Sequence, residues 1–340
     1  TIKPDKVIDE IEFRINDTGS YQNAVSGITE DVTILEGDTL NIKTKIEVDD
    51  NALSNTDDVQ INWAVVASPN DLSRIVDIPG TIYGSADAEF GRALGFSADG
   101  NIVVVGAKVG NYVNIYQRKY SINGIVANED NTWIQTGTIT APGSLSSQTF
   151  PHWFGGSLDL NDAGTVLAIG AYGDDKTTSE GTTFDTGSVR IYRYDGDSWN
   201  LEFTTYGENT SDLLGIVGSI SLSANGEILA VGALKSDANG VDSGAVYIYR
   251  YNGSSWNRLG ETITGEATGD ELSTVSLSDD GYTIALGARL NDTGGINAGH
   301  VRIFNWNGSS WTQKGSDIYT SAESGGNFGS RCQLNSDGTE

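Results

Sequence analysis

The sequence predicts an all-β chain in two parts: a small N-terminal β-sandwich of immunoglobulin-like type over residues 1–80, then a β-propeller of four-stranded antiparallel blades over 81–340. Three observations predict it. Glycine is uneven, with 4 of the 43 in residues 1–80 and 39 beyond Gly80. Strict period-two alternation marks the first part. A unit of about 60 residues recurs through the second.

The alternation runs from Thr39 to Val48, with Leu40, Ile42, Thr44, Ile46 and Val48 on one face and Asn41, Lys43, Lys45 and Glu47 on the other. It returns from Val59 to Ala67, where Val59, Ile61, Trp63, Val65 and Ala67 share a face. Half-buried antiparallel strands have this period. Turn clusters such as Glu36-Gly37-Asp38 and Asp49-Asp50-Asn51 divide them. A sandwich with Trp63 in its core is expected, without the cysteine pair of antibody domains.

Beyond Gly80 the repeat is carried by turns at Ala98-Asp99-Gly100, Asp162-Ala163-Gly164, Ala224-Asn225-Gly226, Asp279-Asp280-Gly281 and Ser336-Asp337-Gly338. Six residues after each of the first four turn glycines comes Gly-Ala: Gly106-Ala107, Gly170-Ala171, Gly232-Ala233 and Gly287-Ala288. The run between is apolar throughout, as in Val166-Leu167-Ala168-Ile169, so both of its faces should be buried. A third strand follows, such as Val189-Arg190-Ile191-Tyr192. Then comes a tight Asp-Gly or Asn-Gly turn and Trp199, Trp256 or Trp311; the first repeat reaches Trp133 after an insertion. Four short strands per unit, repeated at fixed offsets, specify propeller blades. The tryptophans should pack between blades, with Trp153 and Trp306 outside that pattern and exposed. Four complete units and a fifth that stops after its turn predict an open ring, either completed by a longer chain of six or seven blades, which is favoured, or covered by another polypeptide.

These residues resemble the FG-GAP repeat family, the propellers of integrin α-chain heads and of many bacterial and phage surface proteins. The Phe-Gly half stands at Phe90-Gly91, Phe154-Gly155 and Phe328-Gly329, ten residues before the turn glycine, and is read as decayed at Ile216-Val217 and Glu271-Leu272. The resemblance covers about 250 of the 340 residues. The wording of the later repeats is similar to repeats of marine bacteria and their phages. Calcium-binding members of the family carry Asp-x-Asp-x-Asp-Gly between the first two strands. Here that loop offers one or two carboxylates, too few for an ion that takes six to eight oxygens.

A second acidic recurrence supplies the candidate site residues. Asp175, Asp237 and Asp292 each follow the Gly-Ala alanine by four residues, and Asp185, Asp242 and Asn297 precede the glycine that opens the third strand by two. Two readings are open: a weak metal site repeated around one face, with calcium as the ion, or turn chemistry, which is favoured because Asp and Asn accept hydrogen bonds from nearby amides. No other cofactor is expected.

Charge excludes more than it assigns. Lys and Arg number 20 and Asp and Glu 46, a net charge of −26. Such a surface repels nucleic acid and anionic membranes. No apolar run approaches a membrane helix. A single cysteine, Cys332, excludes a disulfide framework, and it is expected to be a buried apolar residue. Two histidines, His152 and His300, offer no catalytic triad. The resulting expectation is a non-enzymatic extracellular, cell-surface or virion recognition module, with a protein or glycan as partner. A structural component of a virion or filament, self-assembling through its blades, is the alternative. An enzyme acting on polysaccharide comes third.

Overall fold

The structure, a computed structural model, describes residues 7–15, 22–24, 40–47, 82–85, 87–118, 133–142, 152–319 and 325–339. The chain divides into two compact units, Thr1–Arg74 and Ile75–Glu340. In the first, β1 (Val7–Ile15) pairs antiparallel with β2 (Gln22–Ala24) and with β3 (Leu40–Glu47), giving the order β2-β1-β3. β3 is the first alternating segment, set with Phe13 opposite Ile42 and Ile15 opposite Leu40. The second, with Trp63, lies outside the described residues.

The second unit is built of four antiparallel blades. The first blade is β4 (Phe90–Phe96), β5 (Ile102–Ala107), β6 (Tyr112–Arg118) and β7 (Trp133–Thr140). In the second, β8 (Ser157–Leu160) and β9 (Val166–Ala171) are followed by a small hairpin, β10 (Lys176–Thr178) with β11 (Gly181–Thr183). β12 (Ser188–Tyr194) and β13 (Trp199–Tyr206) complete it. The third has β14 (Ile220–Leu222), β15 (Ile228–Ala233) and β16 (Ala245–Tyr251), with its outer edge split into β17 (Trp256–Arg258) and β18 (Ile263–Thr264). The fourth is β19 (Leu272–Leu277), β20 (Thr283–Ala288), β21 (His300–Trp306) and β22 (Trp311–Gln313). First strands of successive blades pack on one another, so they are innermost. Among the described residues there is no helix, and none long and apolar enough to cross a membrane. The all-β propeller architecture is as the sequence predicts.

The core lies between blades, which explains the unbroken apolar second strands. In β9, Val166 and Ala168 pack toward the third blade while Leu167, Ile169 and Ala171 pack toward the first. In β15, Leu229 and Val231 join one cluster and Ile228 and Ala230 the next. One strand feeds two cores, and each fully buried Leu, Ile or Val contributes about 1.5–3 kcal/mol. The repeat tryptophans seal the outer edges. Trp256 stacks on Phe203 of the preceding blade and donates Nε1–H to Glu202 (3.1 Å). Trp311 donates to the Leu259 carbonyl (2.9 Å). Trp153 and Trp306 are not exposed as expected: Trp153 is half-buried and stacks on Tyr172 (4.7 Å), and Trp306 is half-buried against Trp311. Cys332 is also only half-buried, with its thiol pushed up to about 12 by burial.

Two main-chain seams join the blades. At the Gly-Ala edge, a Cβ on Gly170 would run into the Gly215 carbonyl, one on Gly232 into that of Ser273, and one on Gly287 into that of Gly329. This corrects the decayed Phe-Gly positions. Leu214-Gly215 and Leu272-Ser273 stand there, bridged in parallel to Gly187 and Gly244 as Phe328 is to Gly299. Ile216-Val217 lies beyond the seam. The spacing misled because Leu214 is twelve residues from Gly226, and Leu272 nine from Gly281. At the opposite edge the Asp-Gly turns form a ladder. Ala98 donates its amide to Asp162 O (2.9 Å), Asp162 to Ala224 O (3.2 Å), Ala224 to Asp279 O (2.9 Å) and Asp279 to Ser336 O (2.8 Å).

Candidate functional site

The innermost strands begin at the Phe-Gly seam, and there they line an open axial cavity of about 160 Å³. Its walls come from three blades and the fifth repeat: Arg92, Ala93 and Leu94; Gly156, Ser157 and Leu158; Val217, Gly218 and Ile220; and Arg331. No carboxylate lines it, in a chain with 46 acids and 20 bases. Arg331 Nη1 donates to the carbonyls of Val217 (3.2 Å) and Ser330 (3.0 Å), which anchors an otherwise exposed guanidinium at the wall. Arg92 is exposed on β4. The Ser157 hydroxyl donates to the Gly215 carbonyl and is committed to the seam. Two guanidinium groups with apolar walls can bind an anion that has an apolar body.

Deeper along the axis the innermost strands are tied to one another. Asp159 accepts the Leu222 amide (2.7 Å), Ser221 the Leu277 amide (3.0 Å) and Ser276 the Leu334 amide (2.9 Å). Burial dominates at Asp159 and pushes its carboxyl up to about 6, against the two amides it accepts. Between about pH 4 and 6 the folded chain therefore holds a proton that the unfolded chain has released. Stability falls as pH rises through that window, by on the order of 1–2 kcal/mol for this half-buried group. Asp159→Asn keeps an acceptor for Leu222. It is expected to flatten this slope, raising Tm at pH 8 and leaving it nearly unchanged at pH 4.

The six recurrent loop residues sit at the Gly-Ala edge but do not converge. Asp175 Oδ1 accepts the Asp185 amide (2.7 Å), Asp237 Oδ1 that of Asp242 (2.8 Å) and Asp292 Oδ1 that of Asn297 (2.7 Å). The second residue of each pair is left-handed (φ 51°, 54° and 53°). Its carbonyl accepts an amide from the next blade: the Leu213 N–H donates to Asp185 O (3.3 Å), that of Glu271 to Asp242 O (3.1 Å) and that of Asn327 to Asn297 O (3.3 Å). Each pair thus fastens its own loop and hands a carbonyl to its neighbour. The first-to-second-strand turns do not fit calcium either. Asp99, for example, spends Oδ1 on Ser97 (2.6 Å) and the Asn101 amide (3.0 Å), and Oδ2 on the Asn101 amide group (2.7 Å).

Sequence reasoning missed the residue beside Asp175. Asp174 is fully buried, and its Oδ2 accepts from Arg190 Nη2 (2.8 Å) and Ser188 Oγ (2.7 Å), with Arg190 Nη1 also donating to Ser188 Oγ (2.5 Å). Its equivalents are Ser236 and Asn291, so recurrence could not mark it.

No family model matches the chain, and no curated protein matches it. Solved structures similar to it include a candidate 6-phosphogluconolactonase from Bacteroides uniformis, at 10% identity over 67% of this chain and 54% of that one, with a TM-score of 0.44. A second, from Bacteroides fragilis, is 13% identical over 67% and 54% (TM-score 0.43). The hydrazine synthase of Kuenenia stuttgartiensis is 12% identical over 65% and 53% (TM-score 0.40). The chain spans about half the length of these proteins. The two Bacteroides chains bear the name of an enzyme, at odds with the expectation of a non-enzymatic recognition module, and that expectation is not carried further. Likeness at this level concerns fold and transfers no activity.

Proposed function

We propose that the propeller binds a small organic anion, a carboxylate or phosphate ester with an apolar body, in the axial cavity between Arg92 and Arg331. The observation that carries this reading is the lining, two arginines and no acid in a strongly acidic chain. Leu94, Leu158, Val217 and Ile220 receive the apolar part of the anion. We also read the chain as a divergent FG-GAP-like propeller, a reading supported by the meeting of Phe-Gly-type and Gly-Ala positions across each seam.

Isothermal titration with acetate, butyrate and inorganic phosphate tests the site. Butyrate is expected to bind more tightly than acetate, and binding to weaken with added salt. Arg331→Ala and Arg92→Ala should each cost about tenfold in affinity, the equivalent of about 1.4 kcal/mol. Silence from all three anions, or unchanged affinity in both variants, refutes the reading.

A further inference from the structure

A second group of polar side chains lies at the outer part of the fourth blade and is independent of the axial cavity. His300 opens β21, where it is paired with Ala288 of β20. Its side chain is fully buried, and neither Nδ1 nor Nε2 has a hydrogen-bond partner. A buried imidazole with two unmet nitrogens is costly unless something else satisfies it. Nδ1 faces two carboxylates, Glu266 Oε2 at 3.9 Å and Asp317 Oδ2 at 3.8 Å. Both are too far for a hydrogen bond. One ligand atom from each of the three residues lies within 4.8 Å of the others, and among the described residues this is the one such group of metal-ligand type. A tetrahedral ion about 2.1 Å from each ligand atom sets those atoms about 3.4 Å apart, so the three side chains must draw together by up to about 1.4 Å to share it.

We propose that Glu266, His300 and Asp317 form a binding site for a divalent transition-metal ion, of the zinc type. The donor set selects the class. One imidazole nitrogen and two carboxylates suit borderline ions such as Zn2+ and Co2+, whereas calcium takes oxygen donors alone and more of them. The supports of the site are also in place. Asp270 Oδ2 accepts the amides of Glu266 (2.9 Å) and Ala267 (2.9 Å), which fixes the loop that carries Glu266. Asn291 Nδ2 donates to the same oxygen (2.9 Å). Arg302 donates to the Thr264 carbonyl (2.6 Å) and lies 3.6 Å from Glu266 Oε1, the oxygen turned away from His300. Its charge opposes the ion, and three carboxylates outweigh it. Glu266 comes from the loop between β18 and β19, His300 from β21 and Asp317 from the chain after β22. A bound ion therefore clips the loop between the third and fourth blades to the edge of the fourth.

The test uses the whole chain, dialysed against chelator and then titrated with Zn2+, Co2+ or Ca2+ while heat and Tm are recorded. Zn2+ and Co2+ are expected to raise Tm by mass action on the folded state, and Co2+ to give visible ligand-field bands. His300→Gln and Asp317→Asn should each abolish the bands and the Tm rise. Asp317 is partly exposed, so its variant folds even if the buried histidine does not tolerate exchange. No Tm rise in the parent chain, a larger rise with Ca2+ than with Zn2+, or a response that survives Asp317→Asn overturns the proposal.

Discussion

Gly232→Val is expected to destabilise the propeller by about 3 kcal/mol or more, lowering Tm by roughly 6–12 °C. The cause is space. Gly232 closes β15 against the next blade, and a Cβ there would overlap the Ser273 carbonyl, with the Ser273 backbone carbons close behind. Backbone atoms cannot swing aside as a flexible side chain can, so relief would have to come from parting the third and fourth blades. That parting would open the cluster holding Leu272, Ile284 and Leu286. Gly253→Ala is the matched control. Gly253 has φ of 94° and nothing within 4 Å, so its substitution is strained but unobstructed and should cost about 1 kcal/mol. Thermal denaturation compares them, and a Gly232→Val loss no larger than that of Gly253→Ala would remove the seam from the account.

Asp174→Ala should cost about 3–5 kcal/mol, because it leaves the Arg190 guanidinium buried at 3% exposure without its counter-charge. His152 Nδ1 lies 3.7 Å from Asp174 Oδ1, so its surroundings change as well. The reverse deletion, Arg190→Met, should be comparably severe, since it strands a carboxylate at 1% exposure. Replacing both, with Asp174→Leu and Arg190→Met, should recover most of the loss, because a buried pair offsets its own desolvation only narrowly. Urea denaturation of the four proteins gives the coupling energy directly. Simple addition of the two single losses would mean that the pair is not a unit.

Much of this architecture could be read from the sequence because its determinants are periodic. The Gly-Ala pairs, the Asp-Gly turns and the repeat tryptophans recur for one physical reason each: an absent Cβ, a left-handed turn and a sealed blade edge. Leu214-Gly215 was misplaced because a seam is set by three-dimensional contact while offsets shift with each loop. The sites were less legible for the same reason. Asp175, Asp237 and Asp292 recur because every loop needs the same amide acceptor, so recurrence selected fasteners. His300 and its two carboxylates are separated by 34 and 17 residues and occur in one blade only. Arg92 and Arg331 line one cavity because the starts of the repeats share an axis, which no local pattern records.

The turn ladder has a further consequence, for the history of the chain. Its rungs are made by main-chain amides and carbonyls, and the residues that supply them are Ala98, Asp162, Ala224, Asp279 and Ser336, which have no side-chain chemistry in common. A newly copied blade therefore needs no matched partner to engage its neighbours: it brings a donor and an acceptor whatever its sequence, provided that the glycine of the turn is kept. Duplication, loss or shuffling of whole blades becomes a small step, and each copy is then free to acquire its own loops and side chains, as the fourth has done around His300.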